Sequence, residues 1–147
     1  MPHFDSSRLP VVRRFEAAGF RAWPASSVHY DGTWVIRLTA GHPAKRLNSV
    51  NPLDPSDCDN LTERIARASR QFAAYGRPTT FRMSPLGGSF ITAYLDQEGW
   101  TRFSDSIVMS IDLLSIDLER VMNQIPMKDM ARFISAAMVV HDFEPSI

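Results

Sequence analysis

The spacing of apolar positions changes several times along the chain, and each change marks an element. Residues 7–18 read as a helix: Ser6 or Ser7 stands where a cap belongs, Pro10 is tolerated in a first turn, and Gly19 supplies a stop. A strand is expected around Phe20–His29, ended by the turn Tyr30-Asp31-Gly32. Trp34, Ile36 and Leu38 then alternate with Val35, Arg37 and Thr39. A period of two belongs to a half-buried strand, because successive side chains leave it on opposite faces. After Ala40-Gly41-His42-Pro43-Ala44, Lys45 to Val50 reads as the returning strand of a hairpin.

Asn51 to Asp59 is polar and broken by Pro52 and Pro55, which predicts a loop. The spacing then becomes helical. Leu61, Ile65, Ala68 and Phe72 share one face, Asn60 and Glu63 have capping-box spacing, and Gly76 with Pro78 forms the stop. Thr79–Met83 reads as a short strand, and Ser84-Pro85 opens another helix. Phe90, Ile91, Tyr94 and Leu95 form its apolar face, and Gly99 ends it. Apolar residues at odd positions (Phe103, Ile107, Met109, Ile111, Leu113) predict a long strand over 101–113. Met127, Met130, Ile134 and Met138 return to a helical stripe. Helices alternating with strands in this order predict an α+β fold, with helices packed on a mixed sheet.

Composition narrows the classes. Of 147 residues, 44% are hydrophobic and 22% charged, the balance of an ordinary globular domain. No apolar run approaches the roughly 20 residues of a membrane span, and Met1-Pro2-His3-Phe4-Asp5 lacks the basic and apolar regions of a secretory signal. A cytoplasmic location is the expectation. Sixteen Lys+Arg balance sixteen Asp+Glu, so neither nucleic acid nor a membrane is an expected partner. Arg64, Arg67 and Arg70 read as a solvated helix face. The single cysteine, Cys58, excludes an intrachain disulfide. Asp57 and Asp59 beside it place negative charge where a nucleophilic thiolate needs positive charge. His3, His29, His42 and His141 lack ligand spacing, so no metal is expected.

Several words in the sequence carry a family likeness: Trp34-Val35-Ile36-Arg37, Lys45-Arg46-Leu47-Asn48-Ser49-Val50-Asn51-Pro52-Leu53, and Gly76-Arg77-Pro78 with Phe81-Arg82-Met83-Ser84. Leu95-Asp96-Gln97-Glu98-Gly99-Trp100 and Ser106-Ile107-Val108-Met109 complete the set. Over residues 8–113 the chain resembles the GNAT superfamily of N-acetyltransferases, in particular the N-terminal half of a two-half GNAT protein. The resemblance implies a GNAT-like, mostly antiparallel sheet in residues 1–113. It implies that 114–147 is a helical tail, or the start of a linker to a second half. The implied chemistry is acetyl transfer from acetyl-CoA to a small amine or peptide amine. The family holds the CoA pyrophosphate with an Arg/Gln-x-x-Gly-x-Gly/Ala loop, whose N–H groups face the anion. At that place this chain reads Asn51-Pro52-Leu53-Asp54-Pro55-Ser56-Asp57-Cys58-Asp59, with two prolines, no glycine and three carboxylates. The catalytic CoA-binding half is therefore expected outside this chain. Leu86-Gly87-Gly88-Ser89 is the other stretch where an anion could dock, or it is simple turn chemistry.

For the acceptor side the candidate substrate-binding residues are Trp34, Arg46, Asn48 and Arg82. Arg46 and Asn48 would share a strand face and suit a carboxylate or an amide-bearing acceptor, or else satisfy backbone carbonyls at a strand end. Trp23, Trp34 and Trp100 could line a pocket or be buried in the sheet. Glu16, Glu63, Glu98 and Tyr94 are available acid–base types, none singled out by pattern. The alternative reading is a non-catalytic GNAT-derived module that dimerises, or regulates a partner, through a sheet edge and the Met-rich helix. The expected partners are thus an amine or peptide acceptor and either a second copy or a catalytic GNAT half.

Overall fold

Three strands form one antiparallel sheet in the order β1 (Ser27–Asp31), β2 (Trp34–Leu38), β3 (Ser49–Pro52). The computed structural model describes residues 6–109, 111–115 and 129–141. Two residues join β1 to β2, with Asp31 opposite Trp34, and Gly32 takes φ +59° at the first central position. That is the requirement of a type II′ turn, whose twist matches the strands it connects. A single parallel bridge extends the sheet: the Val50 N–H donates to the Thr80 carbonyl (2.8 Å) and the Arg82 N–H donates to the Val50 carbonyl (2.9 Å). The expected strand at Thr79–Met83 is reduced to this bridge at Phe81.

The helices are α1 (Leu9–Ala22), α2 (Leu61–Ala74), α3 (Gly88–Gln97) and α4 (Met130–His141). The α2 face of the sheet is apolar. Trp34, Ile36, Leu38 and Val50 pack with Leu61, Ala68 and Phe72 of α2 and Ile91 and Leu95 of α3. Phe81 adds edge-on ring contacts to Trp34 (5.5 Å between centroids) and Trp100 (5.3 Å). Both helices end as expected. Gly76 (φ +63°) and Gly99 (φ +78°) turn the chain, and the following N–H groups of Arg77 and Trp100 reach back to the carbonyls of Phe72 and Leu95, each at 3.0 Å.

Several expectations fail, each for a local reason. Gly19 does not stop α1, which runs to Ala22; the Trp23 N–H closes it on the Gly19 carbonyl at 3.1 Å. Phe20 thus belongs to the helix and its ring meets Arg37, so the preceding strand begins only at Ser27. Lys45–Leu47 is a 3₁₀ turn rather than strand. The Asn48 side chain explains this: it accepts from the Thr39 N–H (2.8 Å) and donates to the carbonyls of His42 (2.8 Å) and Ala44 (3.0 Å). It thereby takes the backbone groups that a hairpin ladder would use. Strand pairing shifts onward, and Asn51 and Pro52, expected in the loop, pair with Val35 and Trp34.

Asn60 does not form a capping box. It enters α2 at φ +52°, a conformation that asparagine tolerates, and its side chain caps nothing. Ser84 does cap the turn at Pro85–Gly87, accepting from the Leu86 N–H at 3.3 Å. On α3, Ile91 and Leu95 are buried but Phe90 faces solvent.

Contacts divide the chain into Met1–Phe103 and Ser104–Ile147. No strand occurs among the described residues of 101–113. Ile107, Val108, Met109 and Ile111 are all exposed. Alternation predicts a strand only where a sheet edge accepts it, and the described residues of this segment pair with none. In the second unit Asp129 caps α4 through the N–H groups of Ala131 and Arg132. Of its expected stripe, Met130 and Ile134 are exposed, Met138 is half-buried, and Met127 lies outside the described residues. Among the described residues no helix is long and apolar enough to cross a membrane.

Candidate functional site

The two faces of the sheet carry different chemistry, and both bear on the site. On the α2 face, Arg64 turns from the helix toward the β1–β2 turn. Its Nη1 donates to Asp57 Oδ1 (2.6 Å), its Nη2 to Asp57 Oδ2 (3.1 Å), and its Nε lies 3.2 Å from Asp31 Oδ1. The guanidinium sits 4.1 Å from the centre of the Trp34 ring. Asp57 also accepts from the N–H and the hydroxyl of Thr33, both at 2.7 Å, and its carbonyl accepts from Trp34 Nε1 at 3.3 Å. Arg67 pairs with Asp31 from the next turn of the helix (2.6 Å). The basic face expected to be solvated is therefore split: Arg70 is exposed, while Arg64 is buried and doubly paired. Hydrogen bonds from Arg64 and Thr33 hold the Asp57 carboxyl far below the usual carboxylate range.

This network fixes the loop between β3 and α2. Within the loop the Ser56 N–H and hydroxyl both bond Asp54 Oδ1 (2.9 and 2.6 Å). The Asp57 N–H bonds the Asp54 carbonyl and the Cys58 N–H the Ser56 carbonyl, each at 3.2 Å. The N–H groups of Ser56, Asp57 and Cys58 are thus taken within the loop, and Asp57 supplies negative charge. The glycine pair is likewise engaged in packing. A Cβ on Gly87 would meet Met83 Cε at 2.6 Å, and one on Gly88 (φ +71°) would meet Pro55 Cβ at 2.9 Å. The residues that the resemblance aligns with a CoA pyrophosphate site do not fit that group.

The α1 face is polar although buried. β2 and β3 send Arg37, Ser49 and Asn51 to it, and α1 contributes Glu16. Arg37 donates to the carbonyls of Arg46 (2.7 Å) and Trp23 and lies over the Phe20 ring at 4.6 Å. Burial lowers its pKa, with the Arg82 charge adding to the effect and Glu16 opposing it. Asn51 Nδ2 donates to the carbonyls of Val35 (3.0 Å) and Ser49 (2.9 Å). Arg82 pairs with Glu16, whose side chain is 10% exposed against 42% for Arg82. One side of this pair therefore reaches solvent.

The four substrate-binding candidates are placed unequally. Trp34 is fully buried on the α2 face, and Asn48 is buried with its amide bonded inside the 40–48 loop. Arg46 and Arg82 are exposed and are linked through Arg37, which bonds the carbonyl of the first and feels the charge of the second. Arg46 also lies 5.8 Å from the Trp23 ring. Sequence reading missed Arg37, Ser49 and Asn51. Their signal was a polar residue at every α1-facing position of β2 and β3 except Val35, in strands otherwise apolar. A shallow concavity of about 140 Å³ between α2 and α3 is lined by Thr62, Ile65, Ala66, Tyr94, Glu98 and Trp100, with Thr62 and Tyr94 hydroxyls 2.6 Å apart. No group of three or more His, Cys, Asp or Glu able to hold a metal occurs among the described residues. No family model, curated protein or solved structure matches this chain.

Proposed function

We propose that the chain is the N-terminal half of a GNAT-like N-acetyltransferase. It forms the side that receives a small amine or peptide amine, while acetyl-CoA, the acetyl donor, is held by a catalytic half outside this chain. The carrying observation is the state of the loop between β3 and α2. The N–H groups of Ser56, Asp57 and Cys58 bond within the loop, and its centre is the Asp57 carboxylate held by Arg64 and Thr33. A pyrophosphate placed there would meet Asp54, Asp57 and Asp59. Each unit-charge repulsion at about 4 Å costs about 1 kcal/mol even in water and more where screening is weaker. On the other face, solvent-reaching Arg82, paired with Glu16, and exposed Arg46, whose carbonyl accepts from Arg37, suit an acceptor that carries both an amine and a carboxylate or amide.

Isothermal titration of acetyl-CoA into the full chain tests the division of labour, with desulfo-CoA as control. No saturable heat is expected up to millimolar ligand; saturation at micromolar concentration overturns it. The acceptor side is read by NMR titration with a short unblocked peptide. Shifts are expected at Glu16, Arg46 and Arg82, and their absence at millimolar peptide defeats the acceptor assignment.

A further inference from the structure

β1 is the outer strand of the sheet, and among the described residues nothing pairs with its free side. Its apolar residues are open to solvent, Val28 at 44% and Tyr30 at 75%. Sheet edges are usually blunted by lysine, proline or a bulge, and Ser27-Val28-His29-Tyr30-Asp31 has none of these. The backbone phase of this edge follows from the hairpin. The closing pair of a two-residue turn, Asp31 with Trp34, exchanges its hydrogen bonds across the ladder, and bonded pairs alternate with non-bonded ones. Ser27 and His29 therefore aim their N–H and C=O groups at β2, and Val28 and Tyr30 aim theirs outward.

We propose that this edge pairs antiparallel with β1 of a second copy, centred on His29, to make a two-fold dimer with one continuous six-stranded sheet. In that register Val28 faces Tyr30 of the second copy, and the two outward-aimed residues exchange both backbone bonds on each side of the axis. The same pairing gathers two Val28 and two Tyr30 side chains into one apolar patch on the α1 side of the sheet. Shifting by one residue would set outward-aimed groups against inward-aimed ones. Shifting by two keeps the phase but leaves residues of Ser27–Asp31 without a facing strand residue, so the register centred on His29 pairs the whole strand. The charge at the strand end does not oppose it, because Asp31 is already paired with Arg64 and Arg67. Two five-residue strands bury less than the roughly 1,200 Å² of a standard interface, so the dimer is weak and concentration-dependent. It does not depend on the acetyltransferase reading and survives its failure.

His29 meets His29 of the second copy as a non-hydrogen-bonded pair, with Cα atoms about 4.5 Å apart, within disulfide range. In a Cys58→Ser background, His29→Cys is expected to give a disulfide-linked dimer under mild oxidation, at least about tenfold faster than Glu63→Cys on the exposed side of α2. Val28→Lys, which charges the edge, is expected to raise the dimer dissociation constant at least about tenfold by sedimentation equilibrium. Sedimentation as a monomer at millimolar concentration overturns the proposal. So does a dimer indifferent to Val28→Lys, or cross-linking at residue 29 no faster than at residue 63. Circular dichroism of each variant separates loss of pairing from loss of fold.

Discussion

Arg64 and Arg37 are both buried, on opposite faces of one sheet, and they are stabilised there by different partners. Arg64 is 6% exposed and is held by two carboxylates and the Trp34 ring. Arg37 is 3% exposed and is held by main-chain carbonyls and the Phe20 ring. A carboxylate neutralises the cation, joins distant segments and titrates with acid. A carbonyl satisfies the donor but leaves the charge and does not titrate. The α2 face is thereby tied through ionic pairs to the β1–β2 turn and the 53–60 loop. The α1 face instead keeps net positive charge near solvent, where an anionic group of a ligand would be attracted.

The largest expected effect comes from Arg64→Met, which leaves Asp31 and Asp57 without the guanidinium. A loss of about 3–5 kcal/mol is expected in urea unfolding, the usual cost of removing one member of a buried pair. Asp57→Asn should cost about 1.5–3 kcal/mol near neutral pH, the worth of hydrogen bonds to a charged group. It also sharpens the comparison through pH. The Asp57 pKa is depressed in the folded state, so its stabilisation is fully present above the unfolded carboxyl value near 3.9. It is lost as pH falls below that value toward the folded one. The wild-type urea midpoint should drop between pH 5 and pH 2.5, and Asp57→Asn should flatten that drop.

Gly32→Ala asks for a left-handed alanine whose Cβ would lie 2.6 Å from Asp57 Oδ2 and 3.0 Å from Arg64 Nη2. About 1–3 kcal/mol is the expected loss, read as a lowered thermal midpoint. Arg37→Met should have the smallest effect, about 1–2 kcal/mol with no added pH dependence, because it leaves neutral carbonyls and relieves repulsion with Arg82. If Arg37→Met proves costlier than Arg64→Met, the contrast between ionic and carbonyl anchoring is wrong.

Much of this was legible along the chain, but unevenly. The Leu61–Phe72 stripe, the glycine stops at Gly76 and Gly99, and the Trp34–Leu38 alternation correspond to observed elements. Each rests on local periodicity or on a backbone conformation that one residue favours. Arg64 was not legible. Its burial requires Asp31 and Asp57, 33 and 7 residues away in sequence, and nothing in the helix pattern distinguishes it from exposed Arg70. Asn48 similarly looked like a strand residue until its side chain proved to hold the 40–48 loop closed. Among the acceptor candidates, Arg46 and Asn48 were expected to share a strand face, but they lie in the 3₁₀ turn and at its end, where the first is exposed and the second buried.

Sequence by itself determined the α+β class, the approximate positions of the first three helices, the β1–β2 turn and the makeup of residues 51–59, with two prolines, three carboxylates and no glycine. These follow from side-chain period, glycine and proline geometry, and the count of donors and charges in one short segment. Only the tertiary structure decided that Asp57 serves as an internal counter-ion and that the polar face of the sheet is buried. It also decided that, among the described residues, one edge of β1 is unpaired and the alternating segment after Phe103 forms no strand. Those outcomes depend on which distant groups meet, and a buried charge or a strand edge takes its meaning from the partner across space.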